Sequence, residues 1–402
     1  MEPLIPPGQT PAGCAPVAIA GGGPVAMLLA CLLVQSGRKA ALLDAAPQRT
    51  SGASDPRLYA LSPLSLGLLE SQGLYSALGP TQCRTFSDLE IWVHRETTRV
   101  RFAAQDIGGF LLGGMVFARD LNRVLAARVD ELKIPTYAID PLSIKLEATG
   151  WVIGTGDSAW RAPLLVVAEG SHSSLREQFR IPLDTLDYGE DALTFGFTSA
   201  RNLGSTPRQV FTPWGPLALL PAPDGTVSGV WSMPAQRARS WLARPGSSFE
   251  ALLLEGTEGI GGGVTLLAPP RSFPLRRQHV RAYVGDRLAL AGDAAHVIHP
   301  FAGQGLNLGL LDAKALSGCL VGCDDWSRAG LQIALKRYER RRMRENQRFL
   351  LALEGVRMFF RSPDLLGIRS GLLGLLAENA TLRRPWVRRA VGRAADYPQP
   401  AS

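Results

Sequence analysis

Cysteine is scarce and unpatterned in this sequence. The five residues, Cys14, Cys31, Cys83, Cys319 and Cys323, are odd in number and contain no Cys-x-x-Cys pair. That excludes a disulfide framework and a zinc ribbon, and it fits a reducing cytoplasm. Histidine is equally scarce, and none lies near Cys319 and Cys323 to complete a metal set. No internal repeat is present. With 46% apolar and 19% charged residues, the 402-residue chain is a folded protein too long for one simple core. Charge is also lacking over most of the length. From Lys336 onward there are 15 Lys or Arg and 6 Asp or Glu, so the last 67 residues carry a net +9 and the rest of the chain, at a total of +8, about −1. A near-neutral body with a basic tail suits an acidic partner surface, anionic lipid or nucleic acid, or else a solvated helical face.

One uncharged run stands out, the 18 residues from Val17 to Val34. Its length would suit a membrane span. However, Gly21-Gly22-Gly23-Pro24 interrupts it and no Lys or Arg precedes it, so it reads as neither a span nor a signal peptide. It divides instead into an apolar strand (Val17–Ala20), a glycine turn and a helix over Met27–Gln35. A second strand, Lys39–Leu43, follows and closes at Asp44. The turn fits G-x-G-x-x-G/A, with Gly21 for the tight turn, Gly23 for close approach to a pyrophosphate and Ala26 for helix packing. The helix N-terminus offers free N–H groups to phosphate. Asp44 stands where an acid binds an adenosine ribose. This predicts dinucleotide binding without separating NAD from FAD.

Far downstream, an apolar strand ends in Gly292-Asp293-Ala294-Ala295-His296. Then come His299-Pro300-Phe301-Ala302-Gly303-Gln304-Gly305-Leu306-Asn307 and a helix. Between the two motifs, Leu164–Ala168 leads into Glu169-Gly170-Ser171-His172-Ser173-Ser174-Leu175-Arg176. Together these segments resemble the FAD-dependent aromatic hydroxylases (class A flavoprotein monooxygenases), nearest to the ubiquinone-biosynthesis hydroxylase branch. The resemblance implies FAD as cofactor and NAD(P)H as co-substrate. Asp293, after Gly292, inherits a place at the ribityl–pyrophosphate, and Gly303, Gln304, Gly305 and Asn307 open the helix aimed at the flavin pyrimidine ring. Glu169 and Gly170 stand in the middle motif, where the family usually has Asp-Gly; the longer acid bears on the fit of the ribose and the route of the nicotinamide. Asp55-Pro56-Arg57-Leu58-Tyr59-Ala60-Leu61 and Arg119-Asp120-Leu121 match two further family segments. Arg57 is implied at the flavin and active site, and Arg119 at FAD. Arg57, Pro300, Gly303 and Gln304 are the implied catalytic positions. His296 and His299 flank the loop, and no metal is expected.

The expected fold class is α/β, a Rossmann-like FAD-binding domain interrupted by a mostly antiparallel β-sheet substrate domain, with a C-terminal helical region. The expected divisions are a flexible lead at 1–15, an FAD-binding domain at 16–75, 96–176 and 275–345, a substrate domain at 76–95 and 177–274, and the helical region at 346–402. Short alternating runs such as Leu193–Phe197 and Val227–Trp231 read as antiparallel strands. In the C-terminal region, Phe349, Leu350, Leu351, Leu353, Val356, Phe359 and Phe360 lie near Arg348, Arg357 and Arg361. A leucine-rich stretch over 365–376 precedes Arg383, Arg384, Arg388 and Arg389. Such helices suit an anionic membrane, or else packing on the body or a dimer contact.

The resemblance implies an enzyme that uses NAD(P)H and O₂ to hydroxylate an electron-rich ring through a flavin C4a-hydroperoxide. The implied substrate is a polyprenylated phenol of ubiquinone biosynthesis. The expected place is the cytoplasm, peripheral on the cytoplasmic face of the inner membrane, within a quinone-biosynthesis assembly. Hydroxylation of a small soluble aromatic, a prenyl reductase and a non-catalytic flavoprotein scaffold in a membrane-associated assembly remain alternatives. No motif supports nucleic-acid binding.

Overall fold

The first strand, β1 (Val17–Ala20), has no exposed residue and no polar side chain, so it can only sit inside a sheet covered on both faces. The computed structural model, which describes residues 16–44, 57–155, 158–298, 303–361 and 366–391, places it there. Helix α1 (Pro24–Gln35) and β2 (Ala40–Asp44) follow. Next come β3 (Leu58–Leu61), β4 (Gly113–Phe117), α2 (Ala118–Glu131) and β5 (Leu165–Val167). The 17-residue strand β6 (Leu183–Ser199), β7 (Val227–Pro234), β8 (Arg271–Val280) and β9 (Leu288–Leu290) form the middle of the chain. The last part is helical: α3 (Gly305–Val321), α4 (Arg328–Arg361), α5 (Leu366–Glu378) and α6 (Ala380–Val391).

Two large sheets result. The six-stranded sheet runs Val284–Gly285, β9, β5, β1, β2, Thr136–Ala138. All its pairings are parallel except the hairpin at the β9 edge, with Ala18 opposite Leu165, Ile19 opposite Leu42 and Val166 opposite Ala289. The uncharged run of 18 residues is thus a strand, a turn and a buried helix. No helix among the described residues is long and apolar enough to cross a membrane.

The second sheet has nine strands and is mostly antiparallel, with β6 between β7 and β8. Among the described residues its single parallel pairing joins Asp88–Val93 to Arg208–Thr212. Its own core gathers Trp92, Phe195, Phe197, Trp231 and Phe249. Mixed helix and strand in these two arrangements is the α/β class expected. The two sheets meet at one seam: His296–Val297 pairs with Gln278–His279 of β8, directly after the Gly292-Asp293 turn.

Candidate active site

Glycine turns recruit ligands only when the chain delivers them to one place, and here it does. Gly21 has φ +129°, and a Cβ on it would lie 2.4 Å from the Ala168 carbonyl oxygen. Only glycine fits this crossing of the first motif under the middle one. Gly23 is different: a Cβ there would meet nothing within 4 Å. The protein does not require glycine at 23; open space in front of the α1 N-terminus does. That terminus has Pro24 in its first turn, no side-chain cap and no acid, so its N–H groups face outward. Ala26 is fully buried, as close packing of α1 on the sheet requires. Asp44 is buried at the end of β2.

The third motif touches the first. A Cβ on Gly309 of α3 would lie 2.7 Å from Val25 Cγ2 and 3.2 Å from Gly292 Cα. Residues 25, 292 and 309 therefore meet, and two helix N-termini separated by more than 270 residues open beside one turn. Asp293 lies on that turn, a 3₁₀ segment over Gly292–Ala294. Its side chain is open to solvent, yet protein crowds it closely. Burial pushes its carboxyl above the ordinary carboxylate range, against the pull of His296 and Arg57. The acid therefore stands accessible but closely surrounded, beside both helix starts.

Arg57 reaches the same place through β3. Its carbonyl accepts from the Ala118 N–H at 2.8 Å, at the start of α2. Arg119, one residue further, lies over the Phe117 ring at 4.2 Å and faces Asp120 at 3.7 Å. A Cβ on Gly303 would stand 3.3 Å from Ala60 Cβ, so β3 flanks the start of α3. Gln304 is the N-cap of α3 and Gly305 its first residue. Pro300 and His299 lie outside the described residues.

Two expected contact residues turn their side chains toward the protein. Asn307 donates from Nδ2 to the Ala60 carbonyl at 2.8 Å and accepts from the Ser62 N–H at 2.8 Å. Its amide clasps β3 to α3, while its backbone N–H remains one of the first-turn donors of α3. Glu169 accepts from Ser173 Oγ at 2.5 Å, Ser174 Oγ at 2.9 Å and the Leu175 N–H at 3.0 Å, capping the short helix Ser174–Gln178. Gly170 holds φ +90° beside open space.

Sequence reasoning overlooked what lies behind the Gly292-Asp293 turn. Asp312 of α3 is fully buried. Its Oδ2 accepts from the Gly292 N–H at 3.0 Å and His296 Nε2 at 2.6 Å. Its Oδ1 accepts from Arg342 Nε at 2.7 Å. Burial pushes the Asp312 carboxyl up, but His296 and Arg342 outweigh it and hold the pKa at about 2. The available signal was a lone acid in the otherwise apolar stretch Leu308–Ala313. Arg176 of the middle motif, also buried, donates to the Ala294 carbonyl at 3.2 Å and the Ser171 carbonyl at 2.7 Å.

A depressed carboxylate pKa stabilises the fold above its unfolded value and loses that contribution as the group protonates. Stability should therefore fall between about pH 4 and pH 2 as Asp312 titrates. Urea unfolding in steps across that range should fall more steeply for wild type than for Asp312→Asn, and equal slopes would contradict the assignment.

Comparison with known proteins turns this geometry into a family. The FAD binding domain model matches residues 153–350. The 3-demethoxyubiquinol 3-hydroxylase of Escherichia coli is 32% identical, over 94% of this chain and 98% of its own. The chain belongs to the ubiquinone-biosynthesis hydroxylase family of FAD-dependent monooxygenases. A second family member, ubiquinone hydroxylase UbiL of Rhodospirillum rubrum, is 31% identical over 96% of this chain and 91% of its own. In fold, the chain resembles PqsL from P. aeruginosa, with TM-score 0.76 at 22% identity over 87% of this chain and 97% of that one. It also resembles p-nitrophenol 4-monooxygenase PnpA of Pseudomonas putida, with TM-score 0.77 at 16% identity over 94% of this chain and 98% of that one. As in that family, the protein is an FAD-dependent enzyme. Its donor set suits the cofactor: two helix N-termini for anionic groups, a crowded acid for hydroxyls, and open space above Gly23 and Gly170 where a side chain would intrude.

Proposed function

We propose that this enzyme hydroxylates the ring of a polyprenylated phenol or quinol precursor of ubiquinone, with NAD(P)H as reductant and O₂ as the oxygen source. The observation that carries the reading is the meeting of Val25, Gly292 and Gly309, which brings two glycine-bearing helix starts beside the turn that carries Asp293. The chemistry a bound FAD supplies is oxidation of NAD(P)H and transfer of one atom of O₂ to an electron-rich ring, the other atom leaving as water.

The remaining work falls to the chain. Gly21, Gly23 and Ala26 place the α1 N-terminus at the pyrophosphate, and Asp44 takes the adenosine ribose. Arg119 and the Glu169-Gly170 turn flank the nucleotide. Asp293 would accept from the ribityl hydroxyls. Gly303, Gln304 and Gly305 present the α3 N-terminus to the pyrimidine edge, where partial positive charge stabilises an anionic ring by about 0.3–2 kcal/mol. Arg57, just before β3, would act beside that edge. We assign Pro300 to the same loop from the sequence alone. The parallel sheet holds the nucleotide and the nine-stranded sheet walls the substrate and excludes water.

The C-terminal helices serve an anionic membrane surface, where the lipid-tailed substrate resides and a quinone-biosynthesis assembly would gather. Supporting this, Ile368, Leu375, Leu382 and Trp386 are exposed beside exposed Arg384 and Arg388. The test is O₂-dependent NAD(P)H oxidation with a prenylated phenol under ¹⁸O₂. The expected result is a product carrying one ¹⁸O, with flotation of the protein on anionic but not neutral vesicles. NAD(P)H oxidation without labelled product, whatever phenol is offered, would overturn the hydroxylase reading.

A further inference from the structure

The turn that carries Asp293 is short, with one internal backbone bond, from the Ala295 N–H to the Gly292 carbonyl at 2.8 Å. Gly292 holds φ +64°, and the turn spans only Gly292–Ala294. Side chains hold it from behind. The Gly292 N–H is bonded to Asp312 Oδ2 at 3.0 Å, and the Ala294 carbonyl to Arg176 at 3.2 Å. Just beyond, His296 is 1% exposed and gives Nε2 to the same Asp312 oxygen at 2.6 Å. A carboxylate accepts only, so Nε2 carries the proton. His296 Nδ1 is buried without a partner, so Asp312 is the ring's one polar anchor among the described residues.

Asp312 is itself held from α4. Arg342 donates Nε to Asp312 Oδ1 at 2.7 Å and Nη2 to Asn346 Oδ1 at 2.7 Å. Asn346 donates Nδ2 to the Tyr283 hydroxyl at 3.0 Å, and that hydroxyl lies 3.0 Å from His279 Nε2. Asp312, Arg342 and Asn346 are all at most 2% exposed. A buried ion pair adds little net stability over apolar packing of the same volume, so its energy alone does not account for its presence. Its geometry does: one carboxylate fixes the backbone on one side of Asp293 and the imidazole on the other.

We propose that Asp312, oriented by Arg342, is a positioning residue for the flavin. It sets where the Asp293 carboxylate stands, and so how tightly and in what surroundings the isoalloxazine-bearing nucleotide is held. This rests on the FAD-binding reading of Asp293.

Oδ2 serves Gly292 and His296, and Oδ1 serves Arg342 and, at 3.4 Å, Asn346 Nδ2, so an amide cannot replace the carboxylate. Asp312→Asn presents an N–H₂ to one side, facing either the Gly292 and His296 donors or Arg342. His296→Leu removes one donor and leaves the Asp312–Arg342 pair intact. His296→Gln keeps an N–H₂ at comparable reach.

The experiment strips FAD from the full-length holoprotein with bromide and titrates it back by flavin fluorescence. The visible circular dichroism of the rebound flavin is recorded, and the apoprotein's thermal unfolding is measured separately. His296→Leu should weaken FAD binding at least tenfold and alter the flavin dichroism, while His296→Gln stays within about threefold of wild type. Asp312→Asn, if it folds, should exceed the loss in His296→Leu. Folded His296→Leu with wild-type affinity and dichroism would overturn the proposal, even if its apoprotein melts lower. A wild-type protein that takes up no FAD would instead remove the reading on which the proposal rests.

Discussion

Asp293→Ala should purify as a folded but colourless protein, with affinity for added FAD reduced by about a hundredfold or more. The side chain is open to solvent, so its loss costs the apoprotein little. Protein nevertheless crowds it enough to raise its pKa, and beside low-dielectric protein a carboxylate accepting from sugar hydroxyls counts for more than in bulk water. Hydrogen bonds to charged groups contribute about 1.5–3 kcal/mol each, and about 1.4 kcal/mol is tenfold in affinity. Two such bonds give the stated loss. Absorbance near the flavin maximum and a fluorescence titration measure it. Full pigment with unchanged affinity would mean that the cofactor does not rest on this acid.

Gly309→Ala should destabilise the protein by about 1–3 kcal/mol, although alanine ordinarily strengthens a helix. The new methyl would stand 2.7 Å from Val25 Cγ2 and 3.2 Å from Gly292 Cα. Val25 is β-branched and cannot swing aside, and Gly292 Cα is backbone. The α1 N-terminus and the Asp293 turn must therefore separate, so FAD affinity should fall together with the melting temperature. Val25→Ala removes the closest atom, and in that background the cost of Gly309→Ala should drop by half or more. A double-mutant cycle measures the coupling. Additivity of the two changes would show that the helices are not in contact here.

The fold was legible where signals are local. Val17–Ala20, Leu165–Val167 and Leu288–Leu290 are short apolar runs that end at glycine or acid turns, and they lie side by side in the parallel sheet. Residues 193–197 and 227–231 alternate, and they pair as antiparallel neighbours. Partners chosen by tertiary packing were not legible. Arg342 counts toward the basic tail, yet it is 2% exposed and spends its charge on Asp312. Arg357 likewise lies over the Tyr188 ring at 4.1 Å and pairs with Glu190 at 3.4 Å. The tail's charge is therefore less available at the surface than its composition suggests. Asn307 reads as a ligand residue by its place in the motif, but only the fold brings Ala60 and Ser62 to its amide. Glu169 reads as a longer ribose acid, and the helix cap it forms is decided by Ser173 and Ser174 folding back on it.

The 34 residues of α4 form one helix, about 50 Å long at about 1.5 Å per residue. Near its middle Arg342 grips the parallel-sheet half of the molecule through Asp312, and Tyr338 donates to the Leu290 carbonyl at 2.7 Å. Near its end Phe360 stacks on Phe211 of the other sheet at 3.5 Å. The helix is thus a splint bolted across the seam. A bulky substrate cannot be admitted by swinging the two sheets apart like a clamshell without breaking one of those fastenings. With both fastenings kept, the protein's scattering envelope should be the same before and after a ligand is seated.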